Sequence, residues 1–227
     1  MLTLCDRFCA DFCAKHSLHR HYKPSVDPPW REMGFHYVGQ GQYMIVFRYK
    51  HIALKIPRKP SHDIASERNR LRALHPWASF EKYIAHGDRW LATGFVTGER
   101  LDHLIDKGNF HTTYSAILQL ESDLRQSMSV TPYLPRDLQL FNLMQTPEGR
   151  LILIDTGEFI DTRQSPKRLY QAQYLSSLQR VHSLIYWLSE YATPRADPPW
   201  HHENHLPLSG RSRSLSEPRA ASLFHHS

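Results

Sequence analysis

Three oxygen-bearing side chains between positions 137 and 155 are spaced so that they could do chemistry together. Asp137 is followed five residues later by Asn142, and Asn142 thirteen residues later by Asp155. Two short apolar runs, Phe141 to Met144 and Leu151 to Ile154, flank Thr146-Pro147-Glu148-Gly149, a tetrapeptide with strong turn chemistry. The pattern predicts a β-hairpin. Its open end places Asn142, at the start of the first strand, near Asp155, at the end of the second, with Asp137 on the loop just before. An amide oxygen and a carboxylate at one point suit a hard divalent cation, which takes oxygen ligands and shares them with phosphates. Asp137 is then left to act as a base.

With those residues in view, the stretch resembles the catalytic and metal-binding loops of the protein-kinase-like superfamily. Pro135-Arg136-Asp137-Leu138 with Asn142 is similar to the family's H-R-D-L loop and its metal-binding amide, and Asp155-Thr156-Gly157 to its D-F-G. The chain departs from the pattern at Pro135, where the family has His, at Thr156, where it has Phe, and at Gln139, where many serine/threonine kinases have Lys.

The elements that must position these groups lie upstream. Phe35 to Val38, Gly39 to Phe47 and His51 to Ile56 read as strands, with Gly39 and Gly41 at the first turn. Glycines there let backbone N–H groups approach phosphate oxygens unobstructed. The run resembles the kinase glycine-rich loop in Gly39, Gly41 and Val46, with Met44 where the third glycine would stand. Lys55 alternates with Leu54 and Ile56 and so faces the other side of its strand; it resembles the family's phosphate-contacting lysine. Ser61 to Leu74 reads as a helix with Ile64, Leu71 and Leu74 on its apolar side. Glu67, one turn before Leu71, is the candidate partner of Lys55, and Glu81 is held in reserve. Glu81 to His86 and Arg89 to Val96 read as two more strands, and Thr97 to Arg100 as a hinge. The resemblance implies adenine stacked beneath the hinge against Val46, Ala53 and Phe95. Leu101 to Lys107 and Thr112 to Met128 read as helices leading to the catalytic loop. No Ala-Pro-Glu motif follows Gly157; Pro166 to Tyr191 is helical in pattern, with Leu169, Leu175, Leu178, Val181, Ile185 and Leu188 as its apolar stripe.

The resemblance covers about residues 35 to 190. It implies an α+β, two-lobed protein-kinase-like fold with a small antiparallel-sheet N-lobe (about 31–98) and a minimal helical C-lobe (about 99–192). Asp137, Lys55 and Glu67 would be catalytic, Gly39, Gly41, Val46, Ala53 and Lys55 would hold ATP, and Asn142 and Asp155 would hold Mg2+. Within the superfamily the small size is similar to the minimal kinase effectors that pathogenic bacteria inject into host cells, some acting on host chaperones and others on ubiquitin-conjugating complexes. That likeness implies a protein substrate, serine or threonine more than tyrosine, a monomer, and a cytoplasmic or host-delivered location. Two rivals stay open: a small-molecule phosphotransferase of the aminoglycoside or choline kinase type, and a pseudokinase that binds partners.

The flanks read differently. In residues 1–30, taken as an N-terminal extension, Cys5, Cys9 and Cys13 line one stripe of a helix from Met1 to His16; a buried face, reversible acylation and a metal site with His16 or His19 are its possible roles. Asp27-Pro28-Pro29-Trp30 recurs as Asp197-Pro198-Pro199-Trp200, by chance or as paired docking elements. Residues 193–227 read as a disordered tail, in which Arg211 to Pro218 resembles the ligands of phosphoserine-reading adaptors, with Ser216 as the phosphosite. The net charge of +6 is not gathered on an aromatic-interleaved face, so nucleic acid is not indicated. No apolar run is long enough to span a membrane, and three cysteines near one end make no disulfide framework, which fits a reducing compartment.

Overall fold

The sequence alternation that sets the face of Lys55 also builds the sheet around it. A computed structural model describes residues 1–16, 24–59 and 62–193, all within one unit, Met1–Arg195. The second Asp-Pro-Pro-Trp element and the Ser216 segment lie outside the described residues. Two helices, α1 (Leu2–Lys15) and α2 (Pro28–Glu32), precede strands β1 (Phe35–Gln40), β2 (Met44–Tyr49) and β3 (Ile52–Pro57). Helix α3 (Ile64–Leu74), capped by the Asp63 side chain on the Ser66 N–H, leads to β4 (Tyr83–His86) and β5 (Leu91–Gly94). The five strands form one antiparallel sheet in the order β1-β2-β3-β5-β4.

Each face of that sheet has its own cover. Ile45 and Phe47 on β2 and Ile52, Leu54 and Ile56 on β3 join Phe35 and Trp90 in a buried cluster with Cys5, Phe8, Cys9 and Phe12 of α1. Phe8 stacks on Phe35 at 4.2 Å between ring centroids and meets Phe47 edge-on at 5.0 Å. The residues read as an extension are therefore part of the N-lobe core. The cysteine stripe is a buried helix face: with Phe8 and Phe12 among them the cysteines form a full apolar face, and its complement is one side of β1 to β3. Burial raises the Cys5, Cys9 and Cys13 thiols, which makes them poor nucleophiles and poor metal ligands and favours the packing role. Trp30, from the first Asp-Pro-Pro-Trp, donates to Asp11 of α1 at 2.6 Å, so this element closes the N-lobe upon itself.

The C-lobe follows as β6 (Glu99–Arg100), α4 (Leu101–Asp106), β7 (Thr112–Thr113), α5 (Tyr114–Val130), β8 (Tyr133–Pro135), β9 (Leu143–Gln145), β10 (Leu151–Leu153), β11 (Phe159–Asp161), α6 (Tyr170–Ser189) and β12 (Ala192–Thr193). Its core gathers Leu120, Leu124 and Met128 of α5, Leu143, Leu151 and Leu153 of the hairpin, and Val181, Leu184 and Leu188 of α6. Two readings of local structure change here. Leu140 to Asn142 is a 3-10 turn and not the start of a strand, which leaves Phe141 exposed. In α6, Leu184 is buried and Leu175 is 56 % exposed, so the apolar stripe is rotated from the expected one; Leu169 sits in a 3-10 turn before the helix. Among the described residues no helix is long and apolar enough to cross a membrane.

Candidate active site

Lys55 is centred on β3, across from Val46 of β2 and Leu91 of β5, on the face away from α1. Ala53, two residues before it, shares that face and pairs with Thr93. Val46 of β2 and Ala53 and Lys55 of β3 thus share one surface of the sheet, as strand alternation requires.

What meets that surface is set by the loop between α3 and β4. Its backbone docks on β10: the Leu153 N–H donates to the Ser79 carbonyl at 2.8 Å and the Glu81 N–H to the Leu153 carbonyl at 3.1 Å, while the Ser79 N–H is held by Asp123 of α5 at 2.7 Å. This places Glu81 under the sheet. Lys55 Nζ lies 2.6 Å from Glu81 Oε1 and 3.0 Å from the Ile154 carbonyl oxygen, and Thr93 Oγ1 donates to Glu81 Oε2 at 2.9 Å. The direct partner of Lys55 is therefore the reserve acid. Glu67, expected there, is buried on α3 and bonded to His62 Nε2 at 3.0 Å, and it acts on Lys55 only through space.

The electrostatics of the pair follow from burial. Desolvation opposes the charge on Lys55, but Glu81, Glu67 and Asp155 together outweigh it and hold the ammonium. Burial pushes the Glu81 carboxyl up to about 7 against the pull of Lys55 and Thr93. Glu67 is also opposed by burial, yet His62, Lys55 and Arg70 bring it below its ordinary value.

The Ile154 N–H donates to the Asn142 carbonyl at 2.8 Å, extending the β9–β10 pairing by one step, so that Asp155 is the first residue past the paired end. The Gly157 N–H donates to Asp155 Oδ1 at 2.7 Å, which fixes the carboxylate at the turn. Asp137 follows β8 and accepts from the Gln139 side chain at 2.6 Å. Gln139, a departure from the family pattern, thus orients the candidate base.

Several observations test whether nucleotide and magnesium fit. Gly39 and Gly41 have no left-handed backbone, and a Cβ at either would meet nothing within 4 Å, so the space over this turn is open to a ligand. No cluster of three His, Cys, Asp or Glu side chains able to hold a metal occurs among the described residues. The oxygen pair of Asn142 and Asp155 would need phosphate oxygens and water to complete a shell, which is how magnesium is usually held. Phe95 departs from its expected role. It lines a cleft of about 490 Å³ with Phe80, Lys82, Pro147, Arg150 and Ile152, a cleft that Val46, Ala53 and Lys55 do not line, and its ring lies under the Arg48 guanidinium at 4.6 Å.

The site also contains residues that sequence reasoning passed over. Thr93 and His62 hold the two acids, and Arg70 of α3 reaches Thr156 in the loop after β10. The three-residue spacing from Glu67 to Arg70 puts both on one helix face, which is the signal the sequence carries.

Together the five-stranded sheet, the helix between β3 and β4 and the helical half carrying the hairpin make an α+β fold of an antiparallel-sheet N-terminal part and a helical part. No family model and no curated protein matches the chain. Among solved structures it is similar to a 2.2 Å crystal structure of WbdD, at 20% identity and a TM-score of 0.40, over 64% of this chain and 37% of that one. It is similar also to WbdD co-crystallised with a kinase inhibitor, at 16% identity and a TM-score of 0.39, over 68% of this chain and 45% of that one. The matched part spans less than half the length of either.

Proposed function

We propose that this chain transfers the γ-phosphoryl group of ATP to a serine or threonine hydroxyl of a protein. The observation that carries the reading is the convergence of Lys55 from β3 with the end of the hairpin, where Lys55 Nζ donates to the Ile154 carbonyl at 3.0 Å next to Asp155 and the Ile154 N–H donates to the Asn142 carbonyl at 2.8 Å. Magnesium held by Asn142 and Asp155 would neutralise the charge on the transferring phosphoryl group. Lys55 would contact the phosphates from the sheet side, and the turn at Gly39 and Gly41 would cover them. Asp137, oriented by Gln139, would accept the proton of the attacking hydroxyl.

A protein acceptor is favoured over a small one by the segment after the metal loop. Between β11 and α6 lie two single-turn 3-10 helices with Arg163, Lys167, Arg168 and Leu169 exposed, a surface more than an enclosing wall. A host protein, as for the minimal bacterial effector kinases, is the acceptor we would test first. A second reading, a non-catalytic binding module, draws on one observation: Lys55 is bound at once to Glu81 and the Ile154 carbonyl, away from an open phosphate site.

The test gives the two acids different jobs. Asp155→Ala should lose both the magnesium-dependent melting shift with ATP and transfer to a eukaryotic lysate. Asp137→Ala should keep most of the shift, roughly 2.7 kcal/mol at a hundred times the dissociation constant, and lose transfer. A parent protein with neither shift nor transfer would hand the site to the non-catalytic reading.

A further inference from the structure

Arg70 lies on α3 one turn after Glu67 and is buried, although a buried guanidinium must find partners for its fixed fork of donors. Its Nε donates to Thr156 Oγ1 at 3.2 Å, across a separation of 86 residues. The same cation lowers the carboxyls of Glu67 on its own helix and of Asp161 on β11. Thr156 is itself buried, at 2 % exposure, and its carbonyl accepts from the Phe159 N–H at 3.0 Å, so the residue is fixed on both sides. It sits between Asp155 and Gly157, whose N–H holds the Asp155 carboxylate. One polar contact therefore ties α3 to the residue next to Asp155.

We propose that Arg70 is a positioning residue that holds the Asp155-Thr156-Gly157 loop in its metal-binding geometry through the Thr156 hydroxyl, coupling the place of α3 to magnesium affinity. This rests on the phosphoryl-transfer reading. It also gives Thr156 a reason to be polar: a side chain of the same shape without an oxygen would fill the space but leave the Arg70 Nε–H without this acceptor.

The experiment compares Thr156→Val, Thr156→Ser and Arg70→Lys with the parent, reading the magnesium concentration that half-saturates the ATP-induced melting shift beside the melt without ligand. Partners of metal ligands commonly change metal affinity 10–100-fold, so Thr156→Val should raise that concentration about tenfold. Thr156→Ser, which keeps the oxygen, should stay within about twofold of the parent. Arg70→Lys should raise it as Thr156→Val does, and the double variant Arg70→Lys/Thr156→Val should be no worse than the poorer single one, because both remove the same contact. Parent-like magnesium dependence in Thr156→Val, or equal losses in Thr156→Val and Thr156→Ser, would overturn the proposal while leaving phosphoryl transfer intact. A parent with no magnesium-dependent shift would overturn both.

Discussion

At the scale of single residues the site turns on one buried ion pair. Lys55 and Glu81 are both almost fully enclosed and 2.6 Å apart, so removing either strands the other's charge. Lys55→Met should cost about 3–5 kcal/mol of stability, and the double variant Lys55→Met/Glu81→Gln should recover much of it; thermal melts without ligand decide this. The pH dependence has a definite sign. Because burial lifts the Glu81 carboxyl from 4.5 to about 7, the folded protein binds a proton there more readily than the unfolded chain. The contribution of Glu81 to stability is thus fully present below pH 4.5 and is lost as pH rises to about 7. The parent should weaken relative to Glu81→Gln across that window. Glu67, lowered in the folded state, runs the other way: its contribution is present above the ordinary carboxylate range and lost as pH falls through its lowered value. Melts of Glu81→Gln stepped from pH 4 to 8, and of Glu67→Gln stepped downward from the ordinary carboxylate range, should therefore diverge from the parent in opposite senses, the first as pH rises and the second as it falls.

At the scale of elements, α1 is the decisive piece. It covers the sheet face opposite the site, and Phe8 alone contacts Phe12, Trp30, Phe35 and Phe47. Phe8→Ala should cost about 3–5 kcal/mol, and a chain of residues 31–193 should be molten or insoluble, seen as a lost cooperative melt. Survival of a sharp melt in that shortened chain would show that the sheet holds without its cover. The rotated face of α6 is tested by a pair: Leu184→Ala should cost about 2–5 kcal/mol, whereas Leu175→Ala, at a position 56 % exposed, should stay within about 0.5 kcal/mol of the parent.

At the scale of the whole molecule the two lobes are joined at a strained point. Gly98 has φ +150°, and a Cβ there would lie 2.1 Å from the Gln145 carbonyl oxygen, because the hinge strand β6 pairs directly with β9. Gly98→Ala should destabilise the chain by on the order of 3 kcal/mol, read as a lower melt. What the sequence determined by itself is what short spacing controls: the β9–β10 hairpin, the strand face of Lys55, the order of the motifs and the helical periods of α3 and α5. Those follow from turn chemistry and from repeats of two and 3.6 residues, which neighbours along the chain fix between them. Tertiary structure alone decided that Lys55 meets Glu81, 26 positions away, and that Arg70 meets Thr156, 86 away. Both meetings depend on the docking of residues 79–81 on β10 and on α3 packing over the metal loop. No local period encodes either, because each is a match between two surfaces that become neighbours only when the core closes. The same holds for α1, whose apolar face was legible in the sequence while its docking on the sheet was not.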